Sequence, residues 1–227
     1  MESDARTSTP DLRLYLIAEV SLVTPDQLER AVVAAVGGGV TIVQLRHKGA
    51  STLQLVELGR RLLGVTRAAG VPLVINDRVD VALAIGADGV HVGHPGKEDM
   101  PPELCRRLLG PSAIIGVSVD QEHEARAAEA AGASYISAGP IYATATKSDA
   151  GPAAGPALIR RLRGASGLPL LGIGGITAEN AGAVITAGAD GIAVASSVLV
   201  ARDPESAARA LRVALDSGGG QNGQRVR

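Results

Sequence analysis

From Leu12 to Ala214 the chain alternates short apolar runs with longer segments rich in Ala, Leu and Arg. The runs Arg13–Ala18, Thr41–Leu45, Leu73–Ile75, Gly89–Val92, Ala113–Val117, Tyr135–Ser137, Leu170–Ile173 and Gly191–Ala195 predict strands. Their apolar character is nearly continuous rather than alternating, as it is in parallel strands covered on both faces. The intervening segments Pro25–Val36, Thr52–Ala69, Asp77–Ile85, Pro102–Leu109, Gln121–Ala131, Ala157–Arg163, Ala178–Ala187 and Pro204–Leu215 predict helices. Start signals stand before three of them: Thr24 ahead of Pro25, Asp203 ahead of Pro204, and Thr177 ahead of Glu179.

A repeated joint supports this division. Gly86-Ala87-Asp88-Gly89-Val90, Gly132-Ala133-Ser134-Tyr135-Ile136 and Gly188-Ala189-Asp190-Gly191-Ile192 share one pattern, and Gly38-Gly39-Val40-Thr41-Ile42 is a looser copy. A glycine closes a helix, a small residue follows, and a strand begins. Eight strand–helix units in one chain predict an α/β protein built as a single (β/α)8 TIM barrel, with a doubly wound open sheet as the competing arrangement. The barrel is expected over residues 11–216, between tails at 1–10 and 217–227; the last tail is rich in Gly, Gln and Arg.

Composition narrows the function classes. The 227 residues carry a formal net charge of -1, which gives no electrostatic case for nucleic acid or an anionic membrane. Phe and Trp are absent, so base-stacking platforms and aromatic cages are not expected. The single cysteine, Cys105, excludes an internal disulfide framework and a cysteine-based zinc site. No apolar stretch reads as a signal peptide or a spanning helix, so cytoplasmic residence is the expectation. A homo-oligomer is left open.

Polar residues gather after the carboxyl ends of the predicted strands, where a barrel places its active-site loops. Arg46 and Lys48 follow strand two, and Asn76 and Asp77 follow strand three. Asp99 lies after strand four, and Ser118 ends strand five. Thr144, Thr146 and Lys147 follow strand six, Gly174 and Gly175 follow strand seven, and Ser196 and Ser197 follow strand eight. Three cations at one mouth (Arg46, Lys48 and Lys147) repel one another unless an anion sits between them, which points to an anion site; the competing reading is three solvated charges. Asp77 and Asp99 offer two oxygen ligands to Mg²⁺, which keeps several waters and takes one or two carboxylates beside substrate phosphates. Asp77 also reads as a helix N-cap, and the two roles are compatible. The glycines of Gly172-Ile173-Gly174-Gly175-Ile176 allow backbone N–H groups to approach a phosphate at a helix start, or serve tight packing alone.

Other machinery is missing. Neither a dinucleotide fingerprint nor a Walker loop is present. Of the four histidines, His91 sits in a strand run as a packed, hydrogen-bonded residue, while His47, His94 and His123 read as exposed. None has a Ser or Cys nucleophile at a recognisable motif. Cys105 reads as inert packing. What remains is electrostatic catalysis, in which fixed cations and a metal stabilise a phosphate leaving group.

The residues in this order resemble the thiamine-phosphate synthase family. Gln44-Leu45-Arg46-His47-Lys48 is similar to its Gln-x-Arg-x-Lys segment and Asn76-Asp77-Arg78-Val79-Asp80 to its Asn-Asp-x-x-Asp segment. The run Gly139-Pro140-Ile141-Tyr142-Ala143-Thr144-Ala145-Thr146-Lys147 resembles its most specific signature, and the resemblance covers residues 13–215. It implies a (β/α)8 barrel that joins hydroxymethylpyrimidine diphosphate to a thiazole phosphate, giving thiamine phosphate and diphosphate. It further implies that Gln44 contacts the pyrimidine and that Arg46, Lys48, Asn76, Ser118 and Lys147 hold the diphosphate. Asp77 and Asp99 would bind Mg²⁺. Thr144 and Thr146, with the backbone at Gly174, Gly175, Ala195 and Ser196, would hold the thiazole and its phosphate. One departure is visible: the family has Gly-Gln-x-Asp after strand four, whereas Gly93 is followed by His94-Pro95-Gly96-Lys97-Glu98-Asp99, so Glu98 competes with Asp99 as second ligand. Ser137 stands where the family favours Gly.

Three rivals share parts of this equipment. A thiazole tautomerase needs an acid/base group, expected as His shortly after the strand-five serine, where this chain has Asp120. A phosphate-sugar isomerase or epimerase leaves the cation cluster unexplained. A ligand sensor leaves both metal carboxylates without a purpose. Whether the thiazole substrate carries a carboxylate is open.

Overall fold

In the computed structural model, which describes residues 10–94, 99–146 and 151–219, each predicted strand hydrogen-bonds to the next and the last returns to the first. The strands are β1 (Leu14–Glu19), β2 (Ile42–Arg46), β3 (Leu73–Asn76), β4 (Gly89–Val92), β5 (Ile114–Ser118), β6 (Tyr135–Ala138), β7 (Leu170–Ile173) and β8 (Gly191–Val194). All pairings are parallel, and β1 pairs with both β2 and β8, so the sheet is a closed barrel rather than an open one. Around it lie α1 (Pro25–Gly37), α2 (Thr52–Ala68), α3 (Val79–Ile85), α4 (Pro102–Leu109), α5 (Glu122–Ala130), α6 (Pro156–Arg163), α7 (Ala181–Thr186), α8 (Ser196–Leu199) and α9 (Pro204–Gly219).

Both strand faces are buried, but against different neighbours. Because strand side chains alternate sides, Tyr15 and Ile17 point into the barrel with Ile42, Val74, Tyr135 and Leu171. Leu14, Leu16 and Ala18 pack outward on the helices, together with Leu45, Leu73 and Ile75. This double burial is why the sequence reads as unbroken apolar runs. The small Ala/Val/Leu core leaves Cys105 fully buried, and burial pushes its thiol up to about 11.

Local signals fix the helix starts. Thr24 and Gln27 form a capping box ahead of α1, as do Ser51 and Gln54 ahead of α2. Asp203 accepts the Ser206 N–H at 3.0 Å ahead of α9. The repeated joints behave as expected: Gly86, Gly132 and Gly188 all take positive φ, the left-handed turn that lets a helix end and a strand begin at once.

Beyond shifts of a single residue, the structure differs from the sequence expectation at four places. Helix α3 begins at Val79 rather than Asp77, because Asp77 itself is left-handed (φ 60°). Helix α7 begins at Ala181 rather than Ala178; the Asn180 side chain first bonds back to the Thr177 N–H and the Gly175 carbonyl. Helix α8 is absent from the expectation, being too short to show a helical period. Helix α9 continues through Gly219, so residues 217–219 belong to the barrel rather than to a tail starting at 217. There Gly218 packs so closely that a Cβ on it would lie 3.1 Å from Gly182 Cα. The proposed tails at 1–9 and 220–227 lie outside the described residues.

Candidate active site

A cavity of about 1220 Å³ opens at the carboxyl ends of the strands. That exceeds the roughly 300–1,000 Å³ of a one-ligand pocket. Its wall contains Arg46 and Lys48 after β2, Asn76 and Asp77 after β3, Asp99 after β4 and Ser118 at the end of β5. Opposite them stand Thr144 and Thr146, Gly174 and Gly175, and Ala195 and Ser196. The carboxyl ends of seven strands, β2 to β8, and the loops after them thus bring these candidates to one place. Lys147 and Glu98 lie outside the described residues.

The cations do not stand free. Glu19, at the end of β1, is paired in register with Arg46 and is only 2% exposed. Arg46 Nη1 donates to Glu19 Oε2, and Ser21 donates to the other carboxylate oxygen from its N–H (3.2 Å) and hydroxyl (2.9 Å). Lys48 Nζ donates to Asp77 Oδ2 at 2.7 Å. Arg46 and Lys48 are therefore balanced by carboxylates of the protein itself, which the count of three cations at one mouth left out. An acidic residue ending an apolar strand was the available signal, and it is Glu19.

Asp77 is no helix N-cap. The α3 cap position is Arg78, and it makes no side-chain capping bond. Asp77 instead adopts a left-handed backbone, costing on the order of 1 kcal/mol. Its N–H is held by the His91 carbonyl at 2.8 Å and its carboxylate also accepts from Asn76 Nδ2 at 2.5 Å. The strain turns the carboxylate from the helix toward the cavity wall. Asp80 is structural, paired with Arg78.

Asp99 reaches the same cavity although the loop after β4 carries extra residues. Its Oδ2 accepts the Gly93 N–H at 3.0 Å, and a Cβ on Gly93 would lie 2.2 Å from that oxygen, so only glycine admits the carboxylate. His94 is not exposed as expected: it lines the cavity with Nε2 2.7 Å from Asp120 Oδ2. Gln44 is not among the cavity-lining residues; it is buried, donating to Tyr15. It faces inward one residue pair below Arg46 in β2.

The far wall is built from backbone and hydroxyls. Gly174 and Gly175 take φ of 97° and 63° where a Cβ would meet Pro140 and the Ala143 carbonyl. This lets the loop after β6 lie on the loop after β7, with Tyr142 N–H on the Gly174 carbonyl at 2.9 Å. Thr146 Oγ1 is 3.4 Å from Ser196 Oγ. Among the described residues, Ser197 Oγ is buried and without a hydrogen-bond partner, at the start of α8.

A family model described as thiamine monophosphate synthase matches residues 14–198, most of the chain. The chain belongs to the thiamine monophosphate synthase family. Among the relatives of this family, a thiamine-phosphate synthase of Roseiflexus sp. strain RS-1 is 47% identical over 204 residues, 90% of this chain and 85% of that protein. One of Chloroflexus aurantiacus is 49% identical over 203 residues, 89% and 92% of the two chains. The solved thiamine phosphate pyrophosphorylase of Pyrococcus furiosus has a TM-score of 0.82 and 38% identity, covering 92% of this chain and 98% of that one. Among the described residues, no helix is long and apolar enough to cross a membrane.

Proposed function

We propose that this chain is a thiamine-phosphate synthase, a transferase that joins 4-amino-2-methyl-5-(diphosphooxymethyl)pyrimidine to a 4-methyl-5-(2-phosphoethyl)thiazole, or its carboxylated form. The products are thiamine phosphate and diphosphate, or thiamine phosphate, diphosphate and CO₂ for the carboxylated form. Beyond membership of the family, the reading rests on one observation. Paired cations and carboxylates on one wall face a glycine- and hydroxyl-lined wall across a cavity large enough for two substrates.

The carbon–oxygen bond between the pyrimidine methylene and the diphosphate breaks, and its electron pair leaves with the diphosphate. The ring amino group spreads the resulting positive charge, and the thiazole nitrogen lone pair then forms the new carbon–nitrogen bond. Arg46, Lys48 and Lys147, with Asn76 and Ser118, hold the departing diphosphate. Thr144, Thr146 and Ser196, with the Gly174, Gly175 and Ala195 backbone, hold the thiazole phosphate. The buried, unpartnered Ser197 hydroxyl supports a phosphate oxygen beside α8. Positioning of this kind lowers a barrier by about 7–11 kcal/mol.

Asp77 and Asp99 suit Mg²⁺. The donors are oxygens only, the ligand type that Mg²⁺ takes beside substrate phosphates and waters. Bound there, the ion supplies neutralising charge to the diphosphate oxygens.

The test is a steady-state assay with both substrates, with Mg²⁺ and with excess chelator. Thiamine phosphate is expected only with metal, and Lys147→Ala is expected to lower turnover at least about a hundredfold. Full product formation in chelator overturns the metal assignment, and isomerised thiazole phosphate alone identifies a tautomerase instead.

A further inference from the structure

Under the cavity floor a line of side-chain hydrogen bonds crosses the barrel interior. Gln44 Nε2 donates to the Tyr15 hydroxyl at 2.7 Å, and the Tyr15 and Tyr135 hydroxyls are 2.8 Å apart. The Tyr135 hydroxyl lies 2.9 Å from His91 Nδ1, and His91 Nε2 lies 3.0 Å from Ser118 Oγ. Of these five residues, His91 and Ser118 line the cavity; both tyrosines are buried below it. Nothing in the reaction as written uses the two phenols. Placing two hydroxyls inside an aliphatic barrel costs desolvation that Phe would avoid, so their presence calls for a reason.

The surroundings are shaped to this line. The Tyr135 and His91 rings stack with centroids 5.6 Å apart at 28°. Gly116, paired in register between them, is where a Cβ would come within 2.1 Å of Tyr135 Cζ and 2.5 Å of His91 Nδ1. Any side chain there would break the Tyr135–His91 bond.

The direction of the line follows from counting protons. The Gln44 amide donates, so the Tyr15 oxygen accepts and its one proton goes to Tyr135. Tyr135 then has one proton to give, and it goes to His91 Nδ1. Burial pushes both phenols above their ordinary range, which keeps them protonated. A neutral imidazole accepting at Nδ1 carries its hydrogen on Nε2. That hydrogen faces Ser118 Oγ, with Ser137 Oγ farther off at 3.5 Å. Ser118 accepts from His91 and keeps its own proton for the cavity. In the opposite direction Ser118 would give that proton to His91 and turn only lone pairs toward an anion.

We propose that Tyr15 and Tyr135 are positioning residues that hold His91 as the Nε2–H tautomer and thereby aim the Ser118 hydroxyl as a donor at the departing diphosphate. This rests on the reading of Ser118 as a diphosphate contact.

The test uses the full chain labelled with ¹⁵N-histidine, in which four imidazoles are resolved by long-range ¹H–¹⁵N correlation and His91 is assigned by substitution. The wild type is expected to show His91 protonated on Nε2. Tyr135→Phe is expected to move that resonance toward a mixture of tautomers and to lower kcat about tenfold. KM for the pyrimidine diphosphate should stay within about twofold, a split that general loosening of the barrel would not give. Tyr135→Phe on a Ser118→Ala background should cost nothing further. An Nδ1–H tautomer in the wild type overturns the proposal, and so does a Tyr135→Phe enzyme with unchanged tautomer and kcat. Wild-type kcat in Ser118→Ala overturns the diphosphate reading and the proposal with it, by a result separate from the tautomer. If Tyr135→Phe does not fold, Tyr15→Phe and the wild-type tautomer still decide.

Discussion

Glu19→Ala strikes the pairing on which the cation wall depends. In the native chain Glu19 is 2% exposed, and the Arg46 side chain opposite it is 17% exposed. Removing one partner of a buried pair typically costs about 3–5 kcal/mol, because the remaining charge is left uncompensated. Arg46 borders an open cavity and retains some access to water, so the lower end applies, about 3 kcal/mol. The two Ser21 bonds to Glu19 are also lost, but both donors are part-exposed and find water instead. For a domain of this size each kcal/mol lowers Tm by about 2–4 °C, which gives a fall of about 6–12 °C.

The assay is thermal unfolding of wild type, Glu19→Ala, Arg46→Ala and the double variant. The reasoning requires non-additivity. Once Glu19 is gone, removing Arg46 removes an unpaired charge, so the double variant should recover at least about 1.5 kcal/mol relative to the sum of the single losses. A Glu19→Ala protein within about 0.5 kcal/mol of wild type, with additive losses in the cycle, would refute the pairing as a structural element. Turnover offers a second reading. An Arg46 released from Glu19 loses its fixed orientation, so kcat should fall even at temperatures where the variant is fully folded.

Two smaller perturbations test other contacts. Gly93→Ala places a Cβ 2.2 Å from Asp99 Oδ2. The carboxylate must move, and titration calorimetry with Mn²⁺ and inorganic diphosphate should show weaker metal binding, with Tm falling by less than in Glu19→Ala. The Arg78 guanidinium beside Asp80 holds that carboxyl below the usual carboxylate range. A lowered folded value gives stability that is present above the unfolded value near 3.9 and lost as pH falls through the folded value. The pair is exposed, so Asp80→Asn should cost only about 0.3 kcal/mol at pH 7 and progressively less as pH falls through the acid range in urea titrations. An equal loss across that range would show that the effect is not electrostatic.

Much of the fold is readable from the sequence because one physical fact dominates it. Strands buried on both faces are written as unbroken apolar runs, and the glycine joints mark where each begins. The site is readable at its carboxyl ends for the same reason, since a polar residue directly after such a run stands at the barrel mouth. What the pattern does not carry is depth. Gln44 and Arg46 share a parity in β2 and both face inward. Arg46 reaches the cavity while Gln44, one residue pair lower, meets Tyr15. Nor does the pattern carry partners across strands: Glu19 meets Arg46 only through the β1–β2 register. Asp77 looked like a helix cap because no sequence signal marks its left-handed backbone. Helix α8 spans a single turn, below the length at which a period shows.

The pairing of the wall has a consequence for how the anion is held. Among the described residues, three cations, Arg46, Lys48 and Arg161, line one cavity with four carboxylates, Glu19, Asp77, Asp99 and Asp120. An anion arriving there meets no excess of positive charge from these seven side chains. At separations near 4 Å, each like-charge contact in a partly solvated site costs about 4 kcal/mol. On the proposed function, diphosphate binding therefore needs positive charge from elsewhere: Lys147 would supply one unit, and a divalent ion at Asp77 and Asp99 would supply two. On that proposed reading the metal would be part of the diphosphate site rather than an accessory to it, and the carboxylates that weaken the bare site would make it conditional on the ion. The same pairing keeps Arg46 and Lys48 in place before any substrate arrives, so little reorganisation remains when charge builds on the leaving group.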